Sequence, residues 1–271
     1  MTPELIAFVG GGQMAGSLIG GLLAAGHPAA RLRVAEPDAA RAERLRRDFG
    51  VEVRARGAEV APGADALVLA VKPQVMREAL TGVAPVASTT VISIAAGLRI
   101  EALRRWLGAA APIVRAMPNT PALLRAGVTG LHAPAGTPER PRALAERILG
   151  AVGATCWLAD EAQLDAVTAL SGSGPAYFFL VAEALRDAGV TLGLDAPTAT
   201  LLARRTLAGA GRMAEASGKD IAELRADVTS KGGTTEAALA RLESRGLRDA
   251  FAEALRAAAT RSRELGDALA K

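Results

Sequence analysis

The sequence has few aromatic residues, two histidines and one cysteine, and each shortage excludes a class of function. Aromatic residues make up 3% of the 271 residues, too few for the stacking platforms that bind single-stranded nucleic acid. His27 and His132 have no carboxylate at a useful spacing, and no Ser-His-Asp order is visible. Cys156 stands alone, which excludes an internal disulfide framework and a cysteine-rich metal site. We therefore expect no metal centre and a cytoplasmic protein.

Long apolar runs and a concentrated charge are also missing. No apolar run reaches the roughly 18 residues that a membrane span needs, and the first residues do not resemble a signal peptide. The net charge of +4 comes from 32 Lys and Arg against 28 Asp and Glu. These charges are scattered along predicted helices, whereas binding in a nucleic-acid groove needs a basic stripe. We expect neither a membrane nor a nucleic acid as partner.

The chain does contain a glycine-rich turn between a predicted strand and a predicted helix. The apolar residues Leu5–Val9 predict a buried strand of a parallel sheet, and helix-period apolar residues follow the turn. In the pattern G-x-G-x-x-A, Gly10 makes the tight turn, Gly12 lets a pyrophosphate approach the backbone, and Ala15 allows close packing. The N–H groups at the helix start favour phosphates. This combination predicts a dinucleotide site rather than a plain turn.

An acidic residue ends the second predicted strand. Glu36 follows Leu32–Ala35, about twenty residues beyond the glycine turn, where an acidic side chain usually meets the ribose hydroxyls of NAD. Arg41 and Arg44 lie one helical turn further on and would instead bind a 2′-phosphate. The acidic residue favours NAD, and the two arginines favour NADP.

Strand and helix patterns alternate through the first 160 residues. The predicted strands are Leu5–Val9, Leu32–Ala35, Val51–Val53, Ala66–Val71, Thr90–Ile94 and Pro112–Ala116, with Val128–His132 and Ala154–Trp157 as candidates to extend the sheet. The alternation predicts a Rossmann-type, doubly wound parallel sheet of the α/β class. Ligands bind at the carboxyl ends of strands in such sheets. The loops at residues 71–74, 95–97 and 117–121 are therefore candidate ligand loops, although each by itself is typical of a simple strand end.

Strand patterns stop at Asp160, and the rest of the chain is predicted to be all α. Ser171–Pro175 should break or kink the first of its helices. We expect a dinucleotide-binding domain at residues 1–160 and a helical dimerisation and substrate-binding domain at 161–271. The apolar helix faces are too extensive for one small bundle, so pairing with a second copy is expected.

A second glycine-containing loop precedes a helix in this helical part. The segment Asp227–Glu236 reads DVTSKGGTTE, and two glycines at a helix start can form an anion cradle. Ser230 and Thr235 add hydroxyl groups that can donate to a carboxylate or a ring nitrogen. The alternative is an ordinary helix start capped by Thr234. Beside a nucleotide domain, a second cradle suggests a small carboxylate substrate.

Five stretches together carry a family resemblance. FVGGGQMA, AVKP, RAMPNTPA, SGSGPAY and DVTSKGGTTEAALARLE, in that order and spacing, resemble pyrroline-5-carboxylate reductase over essentially the whole chain. The resemblance implies an N-terminal Rossmann domain and a C-terminal helical domain that interleaves with its twin, with dimers often assembled into rings of five. The implied reaction is the NAD(P)H-dependent reduction of 1-pyrroline-5-carboxylate to L-proline by hydride transfer to the cyclic imine, the last step of proline biosynthesis.

The resemblance also implies residue roles. The expected cofactor-binding residues are Gly10, Gly12, Gln13, Met14, Ala15, Glu36, Val71, Lys72, Pro73, Ala95, Ala96 and Asn119. The expected substrate-binding residues are Ser230, Gly232, Gly233, Thr234 and Thr235, with Thr235 near the imine nitrogen as the catalytic residue. NADP is the expected cofactor, and Glu36 leaves NAD open. Lys231 departs from the proline that many relatives have there, so it can alter the carboxylate loop.

The sequence also bears on functions other than this reduction. A β-hydroxyacid or 6-phosphogluconate-type dehydrogenase would carry a lysine early in the interdomain helix, and Ser171–Leu185 contains none. An imine reductase acting on a related ring, or a non-catalytic NAD(P)-binding sensor, remains as an alternative.

Overall fold

The first part of the chain is built around one mixed sheet. The structure is a computed structural model that describes residues 2–108 and 110–269. Within them, eight strands lie in the order β3-β2-β1-β4-β5-β6-β7-β8. They are β1 (Ile6–Val9), β2 (Leu32–Ala35), β3 (Glu52–Arg54), β4 (Ala66–Leu69), β5 (Thr90–Ser93), β6 (Ile113–Met117), β7 (Gly127–His132) and β8 (Gly153–Trp157).

Helices cover both faces of this sheet. They are α1 (Gln13–Ala24), α2 (Ala39–Phe49), α3 (Gly57–Val60), α4 (Pro73–Ala79), α5 (Ile100–Leu107) and α6 (Glu139–Gly150). Strand β1 shows why a layer of helices is needed on each face of the sheet, because its side chains alternate between the two faces. Ile6 and Phe8 pack in an apolar cluster with residues of α1, α2 and α6, whereas Ala7 and Val9 join a second cluster with α4 and α5. The predicted doubly wound α/β fold is confirmed.

One strand runs against the predicted parallel arrangement. Strands β1 to β6 are parallel, but β7 pairs antiparallel with β6, and β8 is parallel to β7. Only residues 118–126, with a short 3₁₀ turn at Thr120–Leu124, connect β6 to β7. A parallel crossover needs a dozen or more residues, so this short link reverses the chain. The longer connection through α6 restores the parallel direction for β8.

The remainder is helical, as predicted. It consists of α7 (Gln163–Val167), a π-helical turn at Thr168–Gly172, α8 (Gly174–Thr191), α9 (Ala196–Ala216), α10 (Ile221–Asp227), α11 (Thr234–Ser244) and α12 (Leu247–Leu269). The predicted break at Ser171–Pro175 is confirmed by the π turn and by the bend at Ser173 that follows it. None of the helices that the structure describes has the length and apolar character to cross a membrane.

Packing divides the chain into two compact units. The first holds the chain up to Ser173 and the segment from Ala258 onward, and the second holds Gly174–Ala257. The division falls after residue 160 because α7 packs against β6 and β7. In the second unit, α8 exposes a run of large apolar side chains, Phe178, Phe179, Leu180 and Leu185.

Candidate functional site

The turn between β1 and α1 can only be made by glycine at its first position. Gly10 has a φ of +100°, in the region that L side chains rarely adopt. A Cβ atom there would lie 2.6 Å from Val71 Cγ1 and 2.8 Å from the Ala70 carbonyl oxygen. The Gly10 N–H donates to the Ala35 carbonyl at 2.9 Å. The turn is therefore packed tightly between the ends of β2 and β4.

Gly12 faces open space. A Cβ atom built on it would meet no atom within 4 Å. Gly12 is the N-cap of α1, no side chain caps the helix, and the first turn has no acidic residue. The first N–H groups of α1 and the positive end of its dipole are therefore open to an anion. Ala15, fully buried, packs the helix on the sheet. These residues fit the pyrophosphate of a dinucleotide.

Gln13 and Met14 are the first two residues of α1 and directly follow Gly12. Gln13 is exposed and Met14 is half-buried against the sheet cluster. Both occupy the first turn of the helix, so their N–H groups belong to the open cradle.

The carboxylate of Glu36 is buried at the end of β2 and holds three donors. Its Oε2 accepts from the Gly11 N–H at 3.1 Å, and its Oε1 accepts from the Asp38 N–H at 2.9 Å and from Arg41 Nη2 at 3.1 Å. The hydrogen bond to Glu36 raises the pKa of the Arg41 guanidinium above its ordinary value. Glu36 thus braces the glycine turn, and it engages one of the two arginines that were predicted to bind a 2′-phosphate.

An open cavity of about 690 Å³ begins at the glycine turn and follows one side of α1. Its lining is formed by Gly11, Gly12, Gln13, Gly16, Ser17, Gly20, Gly21, Ala24, Arg41, Arg44, Leu45, Asp48, Phe49, Ala122, Leu123 and Arg125. Small residues of α1 form one wall, and Arg41 and Arg44 bring positive charge to it. This cavity can receive the adenosine half of a dinucleotide.

The loops after β4 and β5 lie beside the glycine turn. The Ala70 N–H donates to the Val9 carbonyl at 2.8 Å, and the Ile94 N–H donates to the Leu69 carbonyl at 3.2 Å. Because the three strands are parallel neighbours, Val71, Lys72 and Pro73 share one sheet edge with Ala95 and Ala96. Lys72 is the exposed N-cap of α4, which begins at Pro73. The structure brings these predicted residues together on one edge.

Asn119, after β6, uses its side chain within the fold. The Oδ1 atom accepts from the Val128 N–H at 2.9 Å, and the Nδ2 group donates to the Ser171 carbonyl at 3.2 Å. The side chain is buried and ties β7 to the π-helical turn. Its predicted place near the nicotinamide stays a prediction.

The predicted substrate loop belongs to the second unit. Gly232 has a φ of +71°, and Gly233, not Thr234, is the N-cap of α11, with no side-chain cap. The Gly232 N–H donates to the Glu236 carboxylate, and the Gly233 N–H donates to the Ser230 carbonyl at 3.0 Å. The alternative of a cap supplied by Thr234 is therefore wrong.

The polar side chains of this loop differ in burial. Thr235 is half-buried, whereas Ser230, Lys231 and Thr234 are exposed. The loop can bind an anion, but Glu236 already accepts from one of its N–H groups. The predicted cofactor residues, by contrast, all belong to the first unit.

Neither histidine enters the site that the sequence predicts. His132 is buried in β7, with Nδ1 3.1 Å from the Leu158 carbonyl oxygen. His27 follows α1, and burial lowers its pKa. No group of three His, Cys, Asp or Glu side chains that could hold a metal occurs in the described ranges.

Sequence reasoning missed the role of Gly11. A Cβ atom on this residue would overlap Leu45 Cδ1 and lie 3.2 Å from Glu36 Cβ. Gly11 is therefore needed for packing between the turn and α2, beyond the G-x-G-x-x-A pattern. The run of three consecutive glycines was the available signal.

Comparison with known proteins agrees with both parts of the chain. A family model described as pyrroline-5-carboxylate reductase dimerisation matches residues 161–265. A second, described as NADP oxidoreductase coenzyme F420-dependent, matches residues 5–97. The pyrroline-5-carboxylate reductase of Pseudomonas aeruginosa is 47% identical over 271 residues, covering 99% of each chain.

Solved structures show the same likeness. The pyrroline-5-carboxylate reductase of Coxiella burnetii matches with a TM-score of 0.91 and 42% identity, over 97% of this chain and 99% of that one. A pyrroline carboxylate reductase of Plasmodium falciparum, solved with NADP bound, matches with a TM-score of 0.83 and 29% identity, over 98% and 99%. The fold and the glycine cradle define a dinucleotide-binding protein, and the family model at residues 5–97 and the relatives place it among the oxidoreductases. Within that class, the chain belongs to the pyrroline-5-carboxylate reductase family, and the predicted resemblance is confirmed.

Proposed function

We propose that the protein reduces 1-pyrroline-5-carboxylate to L-proline with NAD(P)H, the last step of proline biosynthesis, in the cytoplasm. The observation that carries the proposal is the 47% identity to the Pseudomonas aeruginosa reductase over 99% of both chains. The open glycine cradle in the first unit and the α11 loop in the second supply the two anion sites that a dinucleotide and a carboxylate substrate need.

The first unit has the task of holding the dinucleotide. A bound NAD(P)H supplies the hydride for the reaction. Gly12 and the start of α1 would hold the pyrophosphate, and the cavity beside α1 would take the adenosine half. Val71–Pro73 and Ala95–Ala96, with Asn119, would line the nicotinamide side. The protein's contribution is orientation and exclusion of water.

The second unit has the task of holding the substrate. The backbone N–H groups at Gly232–Thr234 would bind the carboxylate, which must share or displace the contact with Glu236. The Thr235 hydroxyl would orient the protonated ring nitrogen, or protonate it where the imine binds in its neutral form. A cyclic imine that is already protonated near neutral pH accepts hydride readily, so the absence of a histidine or an acidic pair from the predicted site is consistent with the reaction.

NADPH is proposed as the main cofactor, with NADH also accepted. The relative from Plasmodium falciparum was solved with NADP bound, and Arg44 adds a positive charge to the lining of the cavity. Glu36, in contrast, is the kind of residue that binds the ribose of NAD. The cavity therefore contains groups suited to both cofactors.

The test is the oxidation of NADPH and of NADH, measured separately with 1-pyrroline-5-carboxylate. Turnover with either cofactor supports the reductase function, and the ratio of the two kcat/KM values gives the preference. Turnover only with imines of another ring size would support the alternative imine reductase. Tight dinucleotide binding without turnover of any imine would support the non-catalytic sensor.

We also propose that the protein forms a homo-oligomer, an interleaved dimer that assembles further into a decamer. It is supported by the dimerisation model at residues 161–265 and by the exposed apolar side chains of α8. Burial of such a surface against a second copy is the usual outcome.

A further inference from the structure

Two glycines far apart in sequence lie against each other in the first unit. A Cβ atom on Gly266, in α12, would lie only 2.6 Å from the Gly97 carbonyl oxygen. A Cβ atom on Gly97 would lie 3.1 Å from the Gly266 nitrogen, and Gly97 itself has a φ of +74°. Ordinary contact begins near 3.4 Å, so any side chain at either position requires the helix or the loop to move.

The end of α12 is anchored at this contact by polar groups. Ser262 is buried, and its Oγ donates to Asp165 Oδ1 at 2.6 Å. Arg99 Nη2 donates to Asp267 Oδ1 at 3.2 Å. Because Ser262 and Gly266 lie one turn apart on the helix, they present one face to the Gly97 loop. Helix α12 therefore supports the loop through backbone contact.

The same loop is fixed from its other flank. Ala95 and Leu98 are buried in the apolar cluster under the sheet. The Ile100 N–H donates to Glu161 Oε1 at 2.8 Å, and the same oxygen accepts from Arg115 Nη1 at 2.8 Å. Because Leu98 and Ile100 hold the loop on the side after Gly97, a displacement at Gly97 is passed to Ala96 and Ala95.

We propose that Gly266 is a positioning residue for the nicotinamide end of the cofactor. Its missing side chain lets α12 lie directly against the Gly97 carbonyl, and this contact sets the position of the Ala95–Gly97 loop. The inference rests on the proposed function, in which Ala95 and Ala96 line the nicotinamide. Gly266 lies one residue beyond the segment that the dimerisation model matches.

The test is the Gly266→Ala variant, with Gly150→Ala as the matched control. Both changes add one methyl group to a helix of the first unit, and a Cβ atom at Gly150 meets nothing within 4 Å. Alanine is the better helix former, so loss of helix propensity cannot explain a defect. Binding is measured by calorimetry with NADPH and with 2′-phospho-ADP-ribose, which lacks the nicotinamide ring.

We expect Gly266→Ala to weaken NADPH binding about tenfold and to lower kcat by about 10- to 100-fold, because a shift near 1 Å misaligns the reacting ring. The affinity for 2′-phospho-ADP-ribose should not change, and Gly150→Ala should behave as the wild type. The proposal is overturned if folded Gly266→Ala binds NADPH and 2′-phospho-ADP-ribose as the wild type does, or binds both more weakly by the same factor.

A second variant decides the matter if Gly266→Ala does not fold. Ser262→Ala removes the anchor to Asp165 without adding an atom, and we expect the same selective loss of NADPH affinity at about threefold. No selective loss there overturns the proposal. If the wild type binds NADPH but does not reduce 1-pyrroline-5-carboxylate, the proposed function fails, while the ratio of affinities still tests Gly266.

Discussion

At the scale of single residues, the contacts of Glu36 bear on the choice between NADPH and NADH. Its buried carboxylate braces the glycine turn through Gly11 and pairs with Arg41. A 2′-phosphate would bring further negative charge to this place and would compete with Glu36 for Arg41. The Glu36–Arg41 pair is therefore expected to weaken the binding of a 2′-phosphate, and the positive charge of Arg44 is expected to strengthen it.

We predict that Glu36→Gln shifts the preference towards NADPH. The amide keeps an acceptor for Gly11 but releases Arg41, so the ratio of kcat/KM for NADPH to that for NADH should rise about fivefold, or about 1 kcal/mol. Glu43→Gln is the control, since it removes the same charge from an exposed position on α2. An equal ratio in Glu36→Gln and the wild type would contradict the competition.

Thr235 is the residue on which the proposed imine contact depends. We predict that Thr235→Ala lowers kcat/KM for 1-pyrroline-5-carboxylate by about 10- to 100-fold, because one hydrogen bond of about 1–3 kcal/mol is lost. Thr200→Ala is the control, since Thr200 is also half-buried in the second unit and its hydroxyl donates to the Ala196 carbonyl. Retained kcat and KM in Thr235→Ala would exclude the proposed role.

At the scale of elements, the start of α9 has a charged cap. Asp195 Oδ1 accepts from the Thr198 N–H at 2.9 Å, and this hydrogen bond lowers the pKa of the Asp195 carboxyl below its ordinary 3.8. A carboxyl with a depressed pKa stabilises the folded state above its unfolded pKa. That contribution is lost as pH falls through the folded-state pKa.

We predict that Asp195→Ala lowers the melting temperature at pH 7 and that its difference from the wild type narrows as pH falls below about 4. Asp195→Asn keeps an acceptor for Thr198 and should recover part of the loss at pH 7. Thermal unfolding followed by circular dichroism between pH 7 and pH 3 gives the comparison. A difference that does not depend on pH would show that the charge of Asp195 has no part in it.

The elements also show where local patterns stop being sufficient. The strand at Val128–His132 was proposed from its apolar pattern, and β7 confirms it, but the pattern says nothing of direction. Direction was decided by the short connection at residues 118–126, whose length does not allow a crossover. The N-cap of α11 was misplaced by one residue when Thr234 was considered, because Gly233 takes the extended backbone of the cap.

At the scale of the whole molecule, the exposed side chains of α8 determine the expected assembly. We predict that Phe179→Asp gives a monomer or an aggregate, whereas the wild type elutes with at least twice the mass of one chain, because a buried unpaired charge disrupts an apolar interface. Light scattering after size-exclusion chromatography measures this. Leu124→Asp, at an exposed position in the first unit, is the control. If the Phe179→Asp variant still forms a dimer, α8 is not part of the interface.

As with the fold, local sequence patterns predict some features of the site, and tertiary packing decides the others. The glycine turn, Glu36 and the loops after β4 and β5 were predicted, because each ends a strand and parallel strands place their carboxyl ends on one edge. The bracing of Gly11 by Glu36 was not predicted, since a carboxylate can reach a ribose or a backbone N–H with equal ease. Neither was the double hydrogen bond of Asn119, which depends on β7 and on the π-helical turn.

The amino-acid sequence by itself determined the alternation of strands and helices, the position of the cradle and the family, because these follow from periodicity, glycine placement and ordered motifs within short windows. The tertiary structure decided the reversal of β7, the partners of Glu36 and the contact between Gly97 and Gly266. The last joins two residues that no local pattern relates, and only the packing of α12 against the loop after β5 brings their backbones together.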